Sequence, residues 1–321
     1  MKQKPSFYRI VQKDIQSVEQ LIIESIQMDR PDVNILLKQL FTSGGKRIRP
    51  NIALLLGKML GAENRRIITL SSAIEMLHTA TLVHDDLIDN SLFRRGNTTL
   101  NAIWTPAATV LAGDYLFAKA AEHAANTDSL VVMKLFSQTL SIIVRGEITQ
   151  FLEKNNSLEL QDYYDRIYAK TASLFQTTSI STGILAGTAP AEVEELKLFG
   201  HDIGMAFQII DDVLDFTGEQ QTLGKPIGSD LRNNILTLPS LLYFQDHKKE
   251  YKQFIKDTKS NGQGIRDVLI QNILAGSVIE KSIDQAKTFI HQGLNHLDAF
   301  PSSEFKTELK ALTLDSLTRV Q

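Results

Sequence analysis

The sequence has no cysteine among its 321 residues, a single tryptophan, 8 prolines and 18 glycines. Without cysteine there are no disulfides and no thiolate metal sites, which fits a reducing compartment. Sparse glycine and proline leave few tight turns and suit a helix-rich chain. Neither sign of charge is in excess: 34 Lys+Arg against 37 Asp+Glu give a net charge of −3. Nothing in that balance asks for a nucleic-acid partner. No run of about 18 uncharged apolar residues occurs, so no transmembrane segment is expected. The first eight residues lack the apolar core of a signal peptide. The expectation is a soluble, cytoplasmic protein, whose 43% hydrophobic content is ample for a core.

Apolar residues recur at helical spacing over 10–28, 33–41, 51–60, 66–89, 107–125, 130–153, 161–185 and 191–216, with no convincing strand alternation. A polar loop spans 217–234, and Pro239 opens a helical C-terminal region. No linker is long enough to separate domains, so one all-α domain over residues 1–321 is expected. Gly200 and Gly204, four apart, allow a neighbouring helix to come close. Leu196, Phe199, Ile203, Phe207, Ile210 and Leu214 form a stripe with the spacing of a buried helical face.

Two acidic stretches stand out. His84-Asp85-Asp86-Leu87-Ile88-Asp89 and Ile210-Asp211-Asp212-Val213-Leu214-Asp215 each set three carboxylates at positions one, two and five of an apolar helical run. At about 100° per residue the first and last Asp share a face, with the middle one beside them. Like charges so placed destabilise their own helix. One such cluster fits a solvated helix end as well as a metal site; a second tips the reading toward a bound cation. Carboxylate oxygens suit a hard divalent ion, and Mg2+ completes its octahedron with water and phosphate oxygens. Gln208 adds a neutral donor and acceptor on the face of Asp211 and Asp212.

Basic residues narrow the ligand. Gly44-Gly45-Lys46-Arg47-Ile48-Arg49-Pro50 places cations and backbone amides at a loop-to-helix junction, a favourable phosphate environment. Arg94-Arg95-Gly96 follows the first acidic motif, Lys170-Thr171 lies mid-chain, and Lys225 sits in the loop after the second motif. Singly, each is an ordinary surface charge. Together with the carboxylates they suggest a Mg2+-bridged diphosphate whose outer oxygens are held by Arg and Lys.

In this order the motifs resemble those of the trans (E)-polyprenyl diphosphate synthase family, over nearly the whole chain. The match comprises the 44–50 segment, His78, Asp85-Asp86-x-x-Asp89, Arg94-Arg95-Gly96, Lys170-Thr171, Phe207-Gln208-x-x-Asp211-Asp212-x-x-Asp215 and Gly224-Lys225-Pro226. The resemblance implies an isoprenoid-synthase-like helical bundle around a deep central cavity. It implies a prenyltransferase that extends an allylic diphosphate, farnesyl or geranylgeranyl, with isopentenyl diphosphate. Gly45, Lys46, Arg49, His78 and Arg95 would then bind the diphosphate of isopentenyl diphosphate. Arg94, Lys170, Thr171, Gln208 and Lys225 would hold the allylic diphosphate or its metals, and Asp85, Asp89 and Asp211 would ligate Mg2+. Asp86 and Asp212 complete the catalytic set that the resemblance implies. For His78 the alternative is a core histidine bonded to backbone. The reaction is ionisation, condensation and elimination, and needs no protein nucleophile. The family further implies a homodimer, or a heterodimer with a small unrelated subunit, and long products that become quinone side chains.

Two regions depart from the family pattern. Ile235 occupies a position that many members fill with Lys, and Arg232 is the candidate substitute. In this it is similar to catalytic subunits of two-component hexaprenyl and heptaprenyl synthases. The rival readings are therefore a chain active only with a partner, or a non-catalytic partner subunit. The latter would be expected to lose metal ligands, yet all six motif aspartates remain. A class I terpene cyclase would not need Lys46, Arg49 and His78 for a second diphosphate. At the C-terminus only Arg319 is a candidate for a basic closing residue.

Product length is read from the first acidic helix. At about 1.5 Å per residue, Thr81 lies roughly 6 Å and Ile74 roughly 16 Å below Asp85. Helical projection puts Thr81 on the face of Asp85, while Ala80 enters from the family pattern, in which early-stopping members carry an aromatic floor just before the motif. Neither residue is bulky, which favours a long product, with Leu77, Ile74 or Phe136 as a deeper floor. Thr81→Phe is expected to shorten the main product to a few isoprene units. An unchanged length distribution from the purified variant would overturn this ruler.

Overall fold

The structure, a computed structural model, describes residues 9–42, 44–94, 96–152, 157–218, 226–257 and 263–315. Its elements follow the apolar periodicity. The first are α1 (Gln12–Ser25), α2 (Pro31–Thr42), α3 (Ile48–Leu60) and α4 (Asn64–Ile88). A minimal hairpin, β1 (Phe93–Arg94) and β2 (Asn97–Thr98), leads to α5 (Leu100–Ile103), α6 (Pro106–Ala125), α7 (Leu130–Leu152) and α8 (Leu160–Ile167). A π turn (Tyr168–Ala172) joins α8 to α9 (Ser173–Ala186), followed by α10 (Pro190–Thr217) and α11 (Ser229–Arg232). The chain ends in α12 (Leu238–Asp246), α13 (Lys248–Asp257), α14 (Gln263–Ala275), α15 (Val278–His296), a 3-10 turn (Leu297–Ala299) and α16 (Glu304–Asp315). The all-α expectation holds, and among the described residues no helix is long and apolar enough to cross a membrane.

Proline and glycine set several helix limits. α2, α6 and α10 each begin on proline, whose fixed φ and missing N–H suit the first turn. Gly61 closes α3 in the left-handed conformation that lets its N–H reach the Gly57 and Lys58 carbonyls. The same rule corrects one boundary: α3 starts at Ile48 rather than after Pro50, because proline is tolerated in a first turn. The single helix expected over 161–185 is broken by the π turn, where the Ser173 N–H bonds the Tyr168 carbonyl. A π turn adds one residue to the ring, which apolar spacing does not reveal. The hairpin pairs Phe93 with Thr98 and Arg94 with Asn97, too short to show alternation. One helical turn, α11, lies inside the expected loop.

The chain packs as two compact units, neither of them a contiguous stretch. One comprises Met1–Thr139, Thr177–Lys197 and Leu297–Leu312; the other comprises Leu140–Gln176, Leu198–His296 and Thr313–Gln321. In the first unit α4 is the central helix, packed by α6, α3 and α1. Leu70, Ala73, Ile74, Met76, Leu77 and Ala80 are all buried along it. Each large apolar side chain so buried contributes about 1.5–3 kcal/mol, so a helix apolar on every side is stable only at the centre of a unit. Gly113 lets α6 meet α4 closely, since a Cβ there would stand 2.1 Å from His84 Nε2.

In the second unit the stretch of α10 from Leu198 onward is the core helix, with Phe199, Ile203, Ile210, Val213 and Phe216 buried. Of the expected stripe, Phe207 and Leu214 are only half-buried. A Cβ at Gly204 would stand 2.5 Å from Ala172 Cα, inside the π turn, so the close approach expected of this glycine is realised. Gly204→Ala sets two effects against each other. Helix propensity favours Ala by about 1 kcal/mol, whereas overpacking typically costs about 1–3 kcal/mol. Because the clash is with backbone, we expect a net destabilisation of roughly 1 kcal/mol in urea denaturation. An unchanged or higher midpoint would show that the π turn yields.

Candidate active site

In the first unit the Gly44–Arg49 turn runs through the left-handed region: φ is +84° at Gly44, +134° at Gly45 and +47° at Arg47. Glycine tolerates the first two without strain, whereas Arg47 carries a Cβ. The turn ends at the N-terminus of α3, where backbone N–H groups and the helix dipole favour an anion. Lys46 is exposed there, and Arg49 is buried. His78, half-buried on α4, lines a cavity of about 80 Å³ together with Gly44, Arg47, Glu75, Asp86 and Arg94. The structure thus brings Gly44 and Arg47, His78 and the flank of the first acidic motif to one place.

The three acids of that motif part company. Asp86 turns inward and is held by Arg94, whose Nε stands 2.8 and 3.0 Å from its two oxygens and whose Nη2 is 2.8 Å from Oδ1. Burial pushes the Asp86 carboxyl up; Arg94 pulls it back down, and Asp89 adds to the rise. Asp85 is half-buried, and Asp89, the C-cap of α4, is exposed, its N–H donating to the Asp85 carbonyl at 2.8 Å. Two carboxylates one turn apart at the negative end of a helix dipole fit a hard cation. Among the described residues no group of three or more His, Cys, Asp or Glu could hold a metal by itself. The donor set fits an ion that takes its remaining ligands from water and phosphate.

Below Asp85, Thr81 is half-buried and its hydroxyl donates to the His78 carbonyl at 2.8 Å. Ala80, Leu77 and Ile74 are fully buried, as is Phe136. Arg95, Lys225 and Arg319 lie outside the described residues.

In the second unit a hydrogen-bond chain links three elements. Thr171 Oγ1 donates to Gln208 Oε1 at 2.6 Å, Gln208 Nε2 donates to Asp212 Oδ1 at 2.8 Å, and Tyr163 OH donates to Asp212 Oδ2 at 2.7 Å. Burial lifts the Asp212 carboxyl to about 7, and Asp230 adds to the rise; Gln208, Tyr163 and Arg166 oppose it. Asp215 is buried and accepts the Asp230 N–H at 3.1 Å, so the third acid pins the segment that follows. Asp211 is half-buried. Lys170 sits in the π turn, 2.8 Å from Glu147. π turns of this kind recur at functional sites.

Sequence reasoning missed Tyr163, Arg166 and Glu147. Arg166 is tucked against the Tyr163 ring at 5.6 Å and donates to the Leu236 carbonyl. Tyr163 and Arg166 lie one turn apart on α8, but their partners Asp212 and Leu236 are 49 and 70 residues further along, beyond any spacing rule. Arg232, the candidate for the missing cation near Ile235, spends its guanidinium on Asp267 at 2.6 Å and on the Ile227 carbonyl at 3.0 Å.

The family model described as polyprenyl synthetase matches residues 31–272. This chain belongs to the polyprenyl synthetase family. It is 34% identical over 303 residues to octaprenyl diphosphate synthase of Escherichia coli (strain K12), covering 94% of each chain. It is also 34% identical over 311 residues to heptaprenyl diphosphate synthase component 2 of Geobacillus stearothermophilus, covering 96% of this chain and 97% of that one. Among solved structures it is similar to the polyprenyl synthase from Caulobacter crescentus CB15 complexed with calcium and isoprenyl diphosphate. That likeness has a TM-score of 0.91 at 31% identity and covers 98% of this chain and 97% of the other.

As a polyprenyl synthetase the chain is a prenyltransferase that elongates prenyl diphosphates. Within such an enzyme the Tyr163–Asp212–Gln208–Thr171 chain keeps one carboxylate of the second motif occupied by the protein. Tyr163→Phe removes a donor to a buried carboxyl. The synthetase variant is expected to lose about 1–2 kcal/mol of unfolding free energy, read by urea denaturation in metal-free buffer. No measurable loss would show that Asp212 finds another donor.

Proposed function

We propose that this chain is a Mg2+-dependent trans-polyprenyl diphosphate synthase. It condenses isopentenyl diphosphate with an allylic diphosphate, farnesyl or geranylgeranyl, to give a long all-trans product for quinone side chains. In this reading the chain works in the cytoplasm, and the whole of it acts as one catalytic domain, because neither compact unit is a contiguous stretch. The observation that carries it is the lining of one cavity, where Gly44 and Arg47 of the basic turn, His78, Asp86 and Arg94 lie together near the end of α4.

Lys46, Arg49 and His78, with Gly45 and Arg95, take the diphosphate of isopentenyl diphosphate. Arg94, Lys170, Thr171, Gln208 and Lys225 hold the allylic diphosphate, and Asp85, Asp89 and Asp211 are the Mg2+ ligands. Bound Mg2+ would supply Lewis-acid stabilisation of the departing diphosphate. Arg94 and Lys170 add fixed positive charge where negative charge develops on that leaving group. The Asp86 and Glu147 carboxylates orient these two cations through the ion pairs described above. As the allylic C–O bond breaks, the resulting carbocation is attacked by the double bond of isopentenyl diphosphate. A proton then leaves the condensed product for the released diphosphate. No protein nucleophile enters.

The likeness to a heptaprenyl synthase component, together with Ile235 and the engagement of Arg232, favours a second reading in which the chain is active only with a small partner subunit. The first reading has a homodimer. Incubating the purified chain with farnesyl diphosphate, labelled isopentenyl diphosphate and Mg2+, then separating products by length, tests both. We expect long products that disappear when Mg2+ is chelated. Activity only after adding a cell extract would favour the two-component reading, and none in either case would overturn the proposal.

A further inference from the structure

Lys46, Arg47 and Arg49 form one basic cluster in the sequence, but Arg47 is directed elsewhere. Its side chain is only 10% exposed, and it is engaged in three directions by three different elements. Nη1 lies 2.7 Å from Glu75 on α4, Nε lies 3.1 Å from Glu19 on α1, and Nη2 donates to the Phe41 carbonyl on α2. Glu75 is itself buried, at 8% side-chain exposure. Three of the five N–H donors of this guanidinium are thus directed at protein acceptors.

Its backbone is also unusual. Arg47 holds φ +47° and ψ +42°, a left-handed conformation that is unfavourable for a residue with a Cβ. Were conformation all that mattered, glycine would serve, as it does at Gly44 and Gly45. Asn51 grips the same turn from below, its backbone N–H and Nδ2 reaching the Arg47 carbonyl at 2.9 and 2.8 Å. Glu75, in turn, precedes His78 by three residues on α4, so the anchor and that histidine share a face and line the same cavity.

We infer that Arg47 is a positioning residue. Through Glu75 it fixes the turn that carries Lys46, and the start of α3 that carries Arg49, at a set distance from His78, and so shapes the site for the non-allylic diphosphate. The inference rests on the reading that Lys46, Arg49 and His78 bind that diphosphate. Arg47→Lys is the informative variant. It keeps a charge opposite Glu75, but a single ammonium on a flexible stem replaces the fork that holds three groups. The deficit is therefore one of geometry rather than of an unpaired buried charge.

The test uses the full-length enzyme, with isopentenyl diphosphate varied at saturating farnesyl diphosphate and then the reverse. For Arg47→Lys and Glu75→Gln we expect KM for isopentenyl diphosphate to rise about tenfold or more, while kcat and KM for farnesyl diphosphate stay within about twofold. Glu19→Gln, which spares the Glu75 pair, is expected to give a rise of about threefold and serves if the stronger variants do not fold. Lys46→Ala marks the underlying reading and should raise the same KM. If Lys46→Ala raises it and the other variants do not, the positioning role is overturned while the diphosphate reading stands. A fall in kcat for both substrates with both KM values unchanged would also overturn it, because that is loss of active enzyme. An unchanged KM in Lys46→Ala overturns the diphosphate reading and this inference with it.

Discussion

Repulsion among neighbouring carboxylates is the constraint on which both acidic motifs are built. Three aspartates within five residues destabilise a helix unless each finds a counterpart. The folded chain answers this unevenly. Asp86 is buried against Arg94, Asp212 is held by Gln208 and Tyr163, and Asp215 accepts a backbone N–H from Asp230. Asp85, Asp89 and Asp211 keep more solvent access than these. The inward acids bond to protein groups, and the three more exposed ones are those assigned to Mg2+ in the proposed mechanism.

The same economy governs the cations. Arg47 is spent on Glu75 and Glu19, Arg94 on Asp86, and Lys170 on Glu147. Arg47 is nearly buried, whereas Arg94 and Lys170 remain more than a third exposed. Partial exposure keeps a cation accessible to an anionic substrate while its carboxylate partner limits its motion. Full engagement turns a cation into an anchor.

Backbone irregularities coincide with positions that carry the proposed roles. The left-handed turn over Gly44, Gly45 and Arg47 precedes α3, and the π turn carries Lys170 and Thr171. Gly204, whose missing Cβ leaves room for Ala172, makes the close packing of that π turn possible. Such departures from regular geometry are costly and persist where surrounding contacts over-determine them. In the 44–49 turn those contacts are the Arg47 ion pairs and the Asn51 hydrogen bonds.

Much of this was legible in the chain itself. The 3.6-residue period gave the all-α class, proline and glycine marked several helix ends, and the order of the acidic and basic motifs identified the family, because these signals depend on residues near one another in sequence. The π turn, the short hairpin and the start of α3 were not legible, since one inserted residue or one tolerated proline leaves apolar spacing unchanged. Nor was the division of labour within each motif. Asp85 and Asp86, or Lys46 and Arg47, are chemically alike and adjacent in sequence. Which one faces solvent and which one a buried partner depends on Arg94, Glu75 and Glu19, and only packing brings those residues alongside. Sequence determined which charges the protein carries and in what order; tertiary structure decided which of them the protein uses up, because pairing depends on distance in space and not on distance along the chain.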